Sequence, residues 1–126
     1  MLILKAVTAY TAAMQLMEQE LDYKTAHALV LLKSRLQPHV SYYSQEEMKL
    51  AQTYGKKDEN GRIDMNESGR FTLESPEAAE EFSRKKMELA QVDIQEEWEK
   101  IKCPCPEKIK PAVLEALQDF IEFGGD

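Results

Sequence analysis

Apolar residues along the chain fall into helical periods at both ends and a short alternating stretch between them. Ile3, Val7, Tyr10, Met14, Met17 and Leu21 recur at steps of 4, 3, 4, 3 and 4, one face of an amphipathic helix expected over about residues 3–21. The two methionines on that stripe are expected to fill core space. A second period follows in KTAHALVLLKSRLQPHVSYYSQEEMKLAQTY, where Leu29, Leu32, Leu36, Val40 or Tyr43, Leu50 and Tyr54 lie along one side. Asp22 is placed to cap it and Gly55 to end it.

Unbroken over 24–54, this helix would be about 46 Å long at ~1.5 Å per residue, whereas a domain of this size has a radius of gyration of about 14 Å. Pro38 is therefore expected to kink or split it, because proline removes a hydrogen bond and crowds the carbonyl of Ser34. A helix projecting from the body would instead pair with another chain, and a dimer or higher oligomer is expected as well.

From Gly55 the pattern changes. Asp58-Glu59-Asn60-Gly61 is a turn, Ile63 and Met65 alternate on one side of a short strand, and Phe71 and Leu73 do so on another. Asn66-Glu67-Ser68-Gly69 between them predicts an antiparallel β-hairpin over about residues 62–73, with Gly69 free to take a positive φ. Ser75-Pro76 then starts a helix over 76–90, with Ser as N-cap, Pro at the first position and Glu77, Glu80 and Glu81 near the positive dipole end. Ala79, Phe82 and Leu89 are placed inward, and Arg84, Lys85 and Lys86 outward. After a β-like Val92-Asp93-Ile94 and the lone Trp98, a packing anchor, the prolines of KCPCPEKIKP predict an extended strap over 102–110. Pro111 opens a last helix over 111–122, with Val113, Leu114, Leu117, Phe120 and Ile121 on its apolar face. The expected fold is one domain, 1–126, of class α+β and predominantly α, with four helices and a small hairpin.

Composition adds limits. The 126 residues are 43% hydrophobic and 31% charged, as in globular chains. No apolar run approaches the ~18 residues of a membrane span, and the first residues lack the basic start and apolar length of a signal peptide, so a cytoplasmic protein without membrane contact is expected. The net charge of −7 is unevenly placed, with +4 over residues 24–57, −9 over 58–126 and the remaining −2 before them. That balance argues against direct nucleic-acid binding and fits solvated faces of opposite sign.

Candidate chemistry is sparse. Asp64, Asn66, Ser68 and Gly69 match positions 1, 3, 5 and 6 of a calcium loop, but position 12 is Ser75 where a bidentate Glu is needed, and turn-rich sequence stands where a helix should precede. Cys103 and Cys105 would need two further ligands for a metal, while His27 and His39 are twelve residues apart rather than at the chelating i, i+4 spacing. Two reduced thiols are the expectation. Phosphate-binding loops and nucleophile elbows are absent from the sequence. The adjacent pairs Glu46-Glu47, Glu80-Glu81 and Glu96-Glu97 splay apart on a helix and read as solvated surface. No catalytic residue, metal or cofactor is assigned.

Tyr54-Gly55 followed by Asp58-Glu59-x-Gly61, after a long Leu-rich helix and before a polar hairpin, a charged helix, VDI and a terminal PAVLEALQDFIEF, form a distinctive order. It resembles a family of small uncharacterised proteins of tailed phages and prophages of Gram-positive bacteria, over nearly the whole chain from about residue 20. The CPCP strap and the Ala-rich first helix depart from that family. The resemblance implies a phage context and lends no catalytic residues, since the family has no assigned activity. The expected function is that of a non-enzymatic phage or prophage accessory protein acting through protein–protein contacts and self-assembling in virion structure or assembly, in the host cytoplasm or associated with the virion. The alternative is an acidic inhibitor of a host nucleic-acid-binding or defence enzyme. Tyr54, Gly55, Asp58, Glu59, Gly61 and Gly69, with the face of the second helix, are the candidate contact residues.

Overall fold

A computed structural model describes residues 1–64, 67, 70–96 and 98–124. Its elements run α1 (Ile3–Leu16), α2 (Tyr23–Tyr54), α3 (Pro76–Ala90), β1 (Ile101–Cys103), α4 (Pro111–Leu117) and β2 (Ile121–Phe123). The protein is thus α+β and predominantly α. No described helix is long and apolar enough to cross a membrane.

Helix α2 is the spine. The Asp22 carboxylate accepts from the Thr25 N–H at 2.8 Å, satisfying a donor that the first turn leaves orphaned. The helix then continues for 32 residues with Pro38 inside it, about 48 Å at ~1.5 Å per residue, and so is not split as the proline suggested. Ser34 and Pro38 are both exposed. The carbonyl that Pro38 cannot serve therefore lies on the solvent side of the helix, where losing one bond is tolerated.

Two cores share this spine. Leu29, Leu32 and Leu36 in its first half join α1, α4 and both strands in the main cluster, and Leu117, Ile121 and Cys103 are buried with them. In its second half Tyr43 meets Ile3 and Leu89, with Val7, Leu50 and Ile94 packed around them. Trp98 bridges the connecting segment to the main cluster, its ring 5.9 Å from that of His39 and 6.3 Å from that of Phe120.

Helix α1 ends at Leu16 rather than at 21; of the expected stripe Ile3 is buried and Val7, Tyr10, Met17 and Leu21 are partly buried against the cores, but the most buried side is turned toward the alanines. Ala6, Ala9 and Ala13 are fully buried, whereas Met14 is 48% exposed. Short alanine side chains let the α1 and α2 backbones approach closely. The bulkier Tyr10 is displaced to the flank, where its hydroxyl donates to Gln37 Oε1 at 2.8 Å.

The antiparallel hairpin expected over 62–73 is also corrected. The sheet is two-stranded and parallel, pairing Ile101 with Ile121 and Cys103 with Phe123. Around the expected hairpin the described residues make isolated antiparallel bridges, Lys57 with Ile63 and Gly55 with Leu73. The cause is the turn before it: Asp58 accepts from the Asn60 and Arg62 amides at 2.9 and 3.0 Å. That folds Ile63 back on the residues leaving α2, which also take up Leu73. Residues 65, 66, 68 and 69, including the expected turn residue Gly69, lie outside the described residues.

At the C-terminal end α4 stops at Leu117 rather than 122, and the Phe-Ile-Glu-Phe run folds as β2 because partners wait for it. The Ile101 amide donates to the Phe120 carbonyl at 2.9 Å, and the Gly124 amide to the Cys103 carbonyl at 3.1 Å. The strap accordingly begins as a strand at Ile101 and is irregular only from Pro104.

Candidate interaction surface

Tyr54, Gly55, Asp58 and Gly61 come together as a structural joint at the end of α2. The Tyr54 ring lies edge-on to Phe82 of α3 at 6.4 Å, and Phe71 packs on the same ring at 5.9 Å. Gly55 is buried beneath Phe71. Asp58 holds the turn, and Gly61 takes φ +77, a conformation that costs other residues free energy. Glu59 is exposed at the tip. The family-like motif is thus explained by local folding, and of these residues Glu59 offers a free side chain. Ser75, the failed twelfth position of the calcium loop, accepts from the Ala78 amide at 3.0 Å as the N-cap of α3.

The cysteines sit at the other end of the molecule. Cys103 closes β1, buried, with its thiol donating to the Pro104 carbonyl at 3.3 Å. Burial pushes this thiol up, against a smaller opposing effect from a hydrogen bond with Thr25. Cys105 is exposed, and both are free. The strap beyond them is fastened by Gln19, whose Nε2 donates to the Lys108 carbonyl at 2.9 Å. A cleft of about 880 Å³ opens on one side of that bond, floored by Leu16, Ile109 and Val113, and one of about 540 Å³ on the other, beside Thr25 and Cys105. Among the described residues no group of three His, Cys, Asp or Glu is placed to hold a metal. His39 meets Glu96 at 3.3 Å and lies beside Trp98, while His27 is exposed elsewhere on α2.

Contacts were expected on a face of the second helix, and the face left exposed is the outward side of α2. Tyr23, Val30, Leu31, Tyr42 and Met48 are exposed there, Tyr23 at 95%, Val30 at 52% and Met48 at 50%. Ser34, Pro38, Ser41 and Gln45 lie between Val30 and Met48, a neutral line bordered by the exposed cations Lys24, Arg35 and Lys49. Exposed apolar side chains along a largely neutral line are the composition of a contact face. The signal was present as a second apolar period in LVLLKSRL, hidden because the leucines of the core period occupy the same stretch.

The fold therefore defines an α-rich α+β protein whose most distinctive exposed feature is a long, largely neutral helix face. No family model, no curated protein and no solved structure matches the chain.

Proposed function

We propose that this chain is a non-enzymatic accessory protein of a phage or prophage that works through protein–protein contacts made by the outer face of α2, self-assembly included. The observation carrying this reading is the exposure of Tyr23, Val30, Leu31, Tyr42 and Met48 along the outer face of α2. Burying such side chains returns about 25 cal/mol per Å² of apolar area. The phage context comes from the motif resemblance, and the site of action is then the bacterial host cell or the virion.

The acidic-inhibitor reading rests on α3, where Glu77, Glu80 and Glu81 are exposed around one shallow concavity. Arg84 closes that concavity and ion-pairs with Glu81 at 3.0 Å, and Lys85 and Lys86 follow. A run of three carboxylates ended by three cations is a short imitation of a phosphate backbone, so the α2 face is preferred.

The test is affinity capture from lysate of the infected host, with the tagged wild-type chain beside Val30→Glu and Met48→Glu. Partners lost in both variants support contact through α2. Capture unchanged by both, and released by 0.5 M salt, where charges are screened within about 4 Å, moves the function to the acidic half.

A further inference from the structure

We infer that Cys103 and Cys105 form a redox switch: a small-molecule disulfide oxidises the two thiols to an internal disulfide, and closing it pulls the strap from Pro104 to Lys110 off its anchors. The switch is independent of any contact made by α2.

Reach is set by the covalent chain. Two residues that flank a single one stand at most about 7 Å apart between α-carbons, and a disulfide needs about 4.4 to 6.8 Å. The backbone at Pro104 therefore has to bend little. Both thiols also gather around one buried residue. Thr25, 2% exposed, lines the cleft of about 540 Å³ beside Cys105, and its hydroxyl donates to the Pro104 carbonyl at 3.5 Å. The Cys103 thiol donates to that same carbonyl at 3.3 Å.

The two sulfurs have separate tasks. Cys105 is exposed, so its thiolate attacks the incoming disulfide; the external S–S bond breaks, one thiol leaves, and the other half stays on Cys105 as a mixed disulfide. Cys103, whose thiolate is disfavoured by burial, then gives up its proton and attacks the Cys105 sulfur, expelling the second thiol. This step needs no second collision, and the tether offsets the poor ionisation. In sum two protein thiols lose two protons and two electrons, and one external disulfide becomes two thiols. A disulfide closed across a single residue at the surface belongs to the labile, easily reduced kind.

Backbone bonds decide which side moves. Cys103 pairs with Phe123, its carbonyl accepts from the Gly124 amide at 3.1 Å, and its side chain belongs to the main core. Cys105 has no hydrogen bond among the described residues. Cys105 accordingly folds back toward β1 through the adjoining cleft. That consumes the thiol hydrogen bonded to the Pro104 carbonyl and turns this carbonyl away from Thr25. The pull reaches Lys108, three residues on, whose carbonyl is fastened only by Gln19 Nε2 at 2.9 Å among the described residues. The reduced strap is clasped, and the oxidised one is loose.

Equilibration with oxidised glutathione, followed by alkylation in denaturant and peptide mapping, tests the chemistry. The expected product has no free thiol, both cysteines in the one tryptic peptide 103–108, two hydrogens lighter, and full recovery in dithiothreitol. Limited trypsin digestion of the native chain reads the strap: cleavage after Lys108 should be severalfold faster when oxidised, with the cut after Lys102 in β1 still slow, and reduced Gln19→Ala should match the faster rate. Cys105→Ser, a change at an exposed side chain, should abolish both effects of the oxidant. Glutathione left on Cys105 beside a free Cys103, or a disulfide between two chains, overturns the internal bond. An internal disulfide with unchanged cleavage after Lys108 overturns the switch.

Discussion

A β-carbon on Gly55 would stand 2.5 Å from the carbonyl oxygen of Ala51, one turn back along α2, and 3.1 Å from the ring of Phe71. The backbone there is ordinary extended chain at φ −76, so the requirement is for space and not for conformation. The ring of Phe71 can yield by a few tenths of an ångström, but the Ala51 carbonyl already accepts from the Gly55 amide at 2.8 Å. Gly55→Ala is therefore expected to lower stability by about 1–3 kcal/mol, the usual cost of overpacking. Gly61 makes the opposite case. Nothing lies within 4 Å of a β-carbon there, but φ is +77, so Gly61→Ala is expected to cost about 1–2 kcal/mol through backbone strain alone. Urea denaturation of both variants checks the pair, and Gly61→Asn, which tolerates that conformation better, should recover part of the loss while Gly55→Asn recovers none.

Two aspartates make the fold sensitive to acid. The Thr25 backbone amide, then its side chain, hold the Asp22 carboxyl below the ordinary aspartate range. The amino group of Met1, at 2.9 Å, and then the Gln95 amide do the same for Asp93. A carboxyl with a lowered folded-state value contributes stability that is present above its unfolded value, near pH 4, and lost as pH falls through the folded one. Melting temperature is thus expected to fall as pH drops below about 4. Asp22→Asn, which keeps a good capping oxygen but cannot titrate, should flatten part of that decline with little change at pH 7. A decline identical to wild type would remove Asp22 from the account.

The two thiols should behave as different chemical species. Cys105 is exposed, while Cys103 is buried with its thiol pushed up by desolvation, and only a thiolate attacks an alkylating reagent. Iodoacetamide at pH 8 is expected to label one cysteine per native chain, at Cys105, and both in denaturant, as peptide mass mapping would read. Labelling of Cys103 at a comparable rate in the native state would mean that β1 opens readily.

Local signals made much of this fold legible. Asp22 and Ser75 are caps because each stands directly before a helical period, and the structure gives both the expected bond. The end of α2 at Tyr54 follows from a residue that needs room, and Gly55 supplies it. What escaped were decisions made by distant partners. Val113, Leu117 and Ile121 continue a helical spacing, yet Ile121 belongs to a strand because the backbone of Ile101 and Cys103 is waiting twenty residues upstream. Likewise the alternation at Ile63 and Leu73 is real, but Asp58 folds the chain early and both residues bridge to the exit of α2. The motif Tyr54, Gly55, Asp58, Gly61 was recognised as a unit from sequence; that its members serve the joint with α3 could not be read without the position of Phe82.

The first helix gives the sharpest test of where pattern misleads. Ile3, Val7, Tyr10, Met14, Met17 and Leu21 form a clean period, and hydrophobicity alone points that stripe inward. Ile3 is indeed buried and Val7, Tyr10, Met17 and Leu21 line the edge of the cores, but the centre of the buried side is Ala6, Ala9 and Ala13, and Met14 is left exposed. Ala9→Leu adds volume where there is none and is expected to destabilise the fold by about 1–3 kcal/mol, or to push α1 off α2. Met14→Ala removes far more side chain but from an exposed position, with an expected change within about 0.5 kcal/mol. Chemical denaturation of the two variants separates the stripes directly: a costly Met14→Ala beside a silent Ala9→Leu would rotate α1 back to the orientation that its hydrophobic pattern suggests.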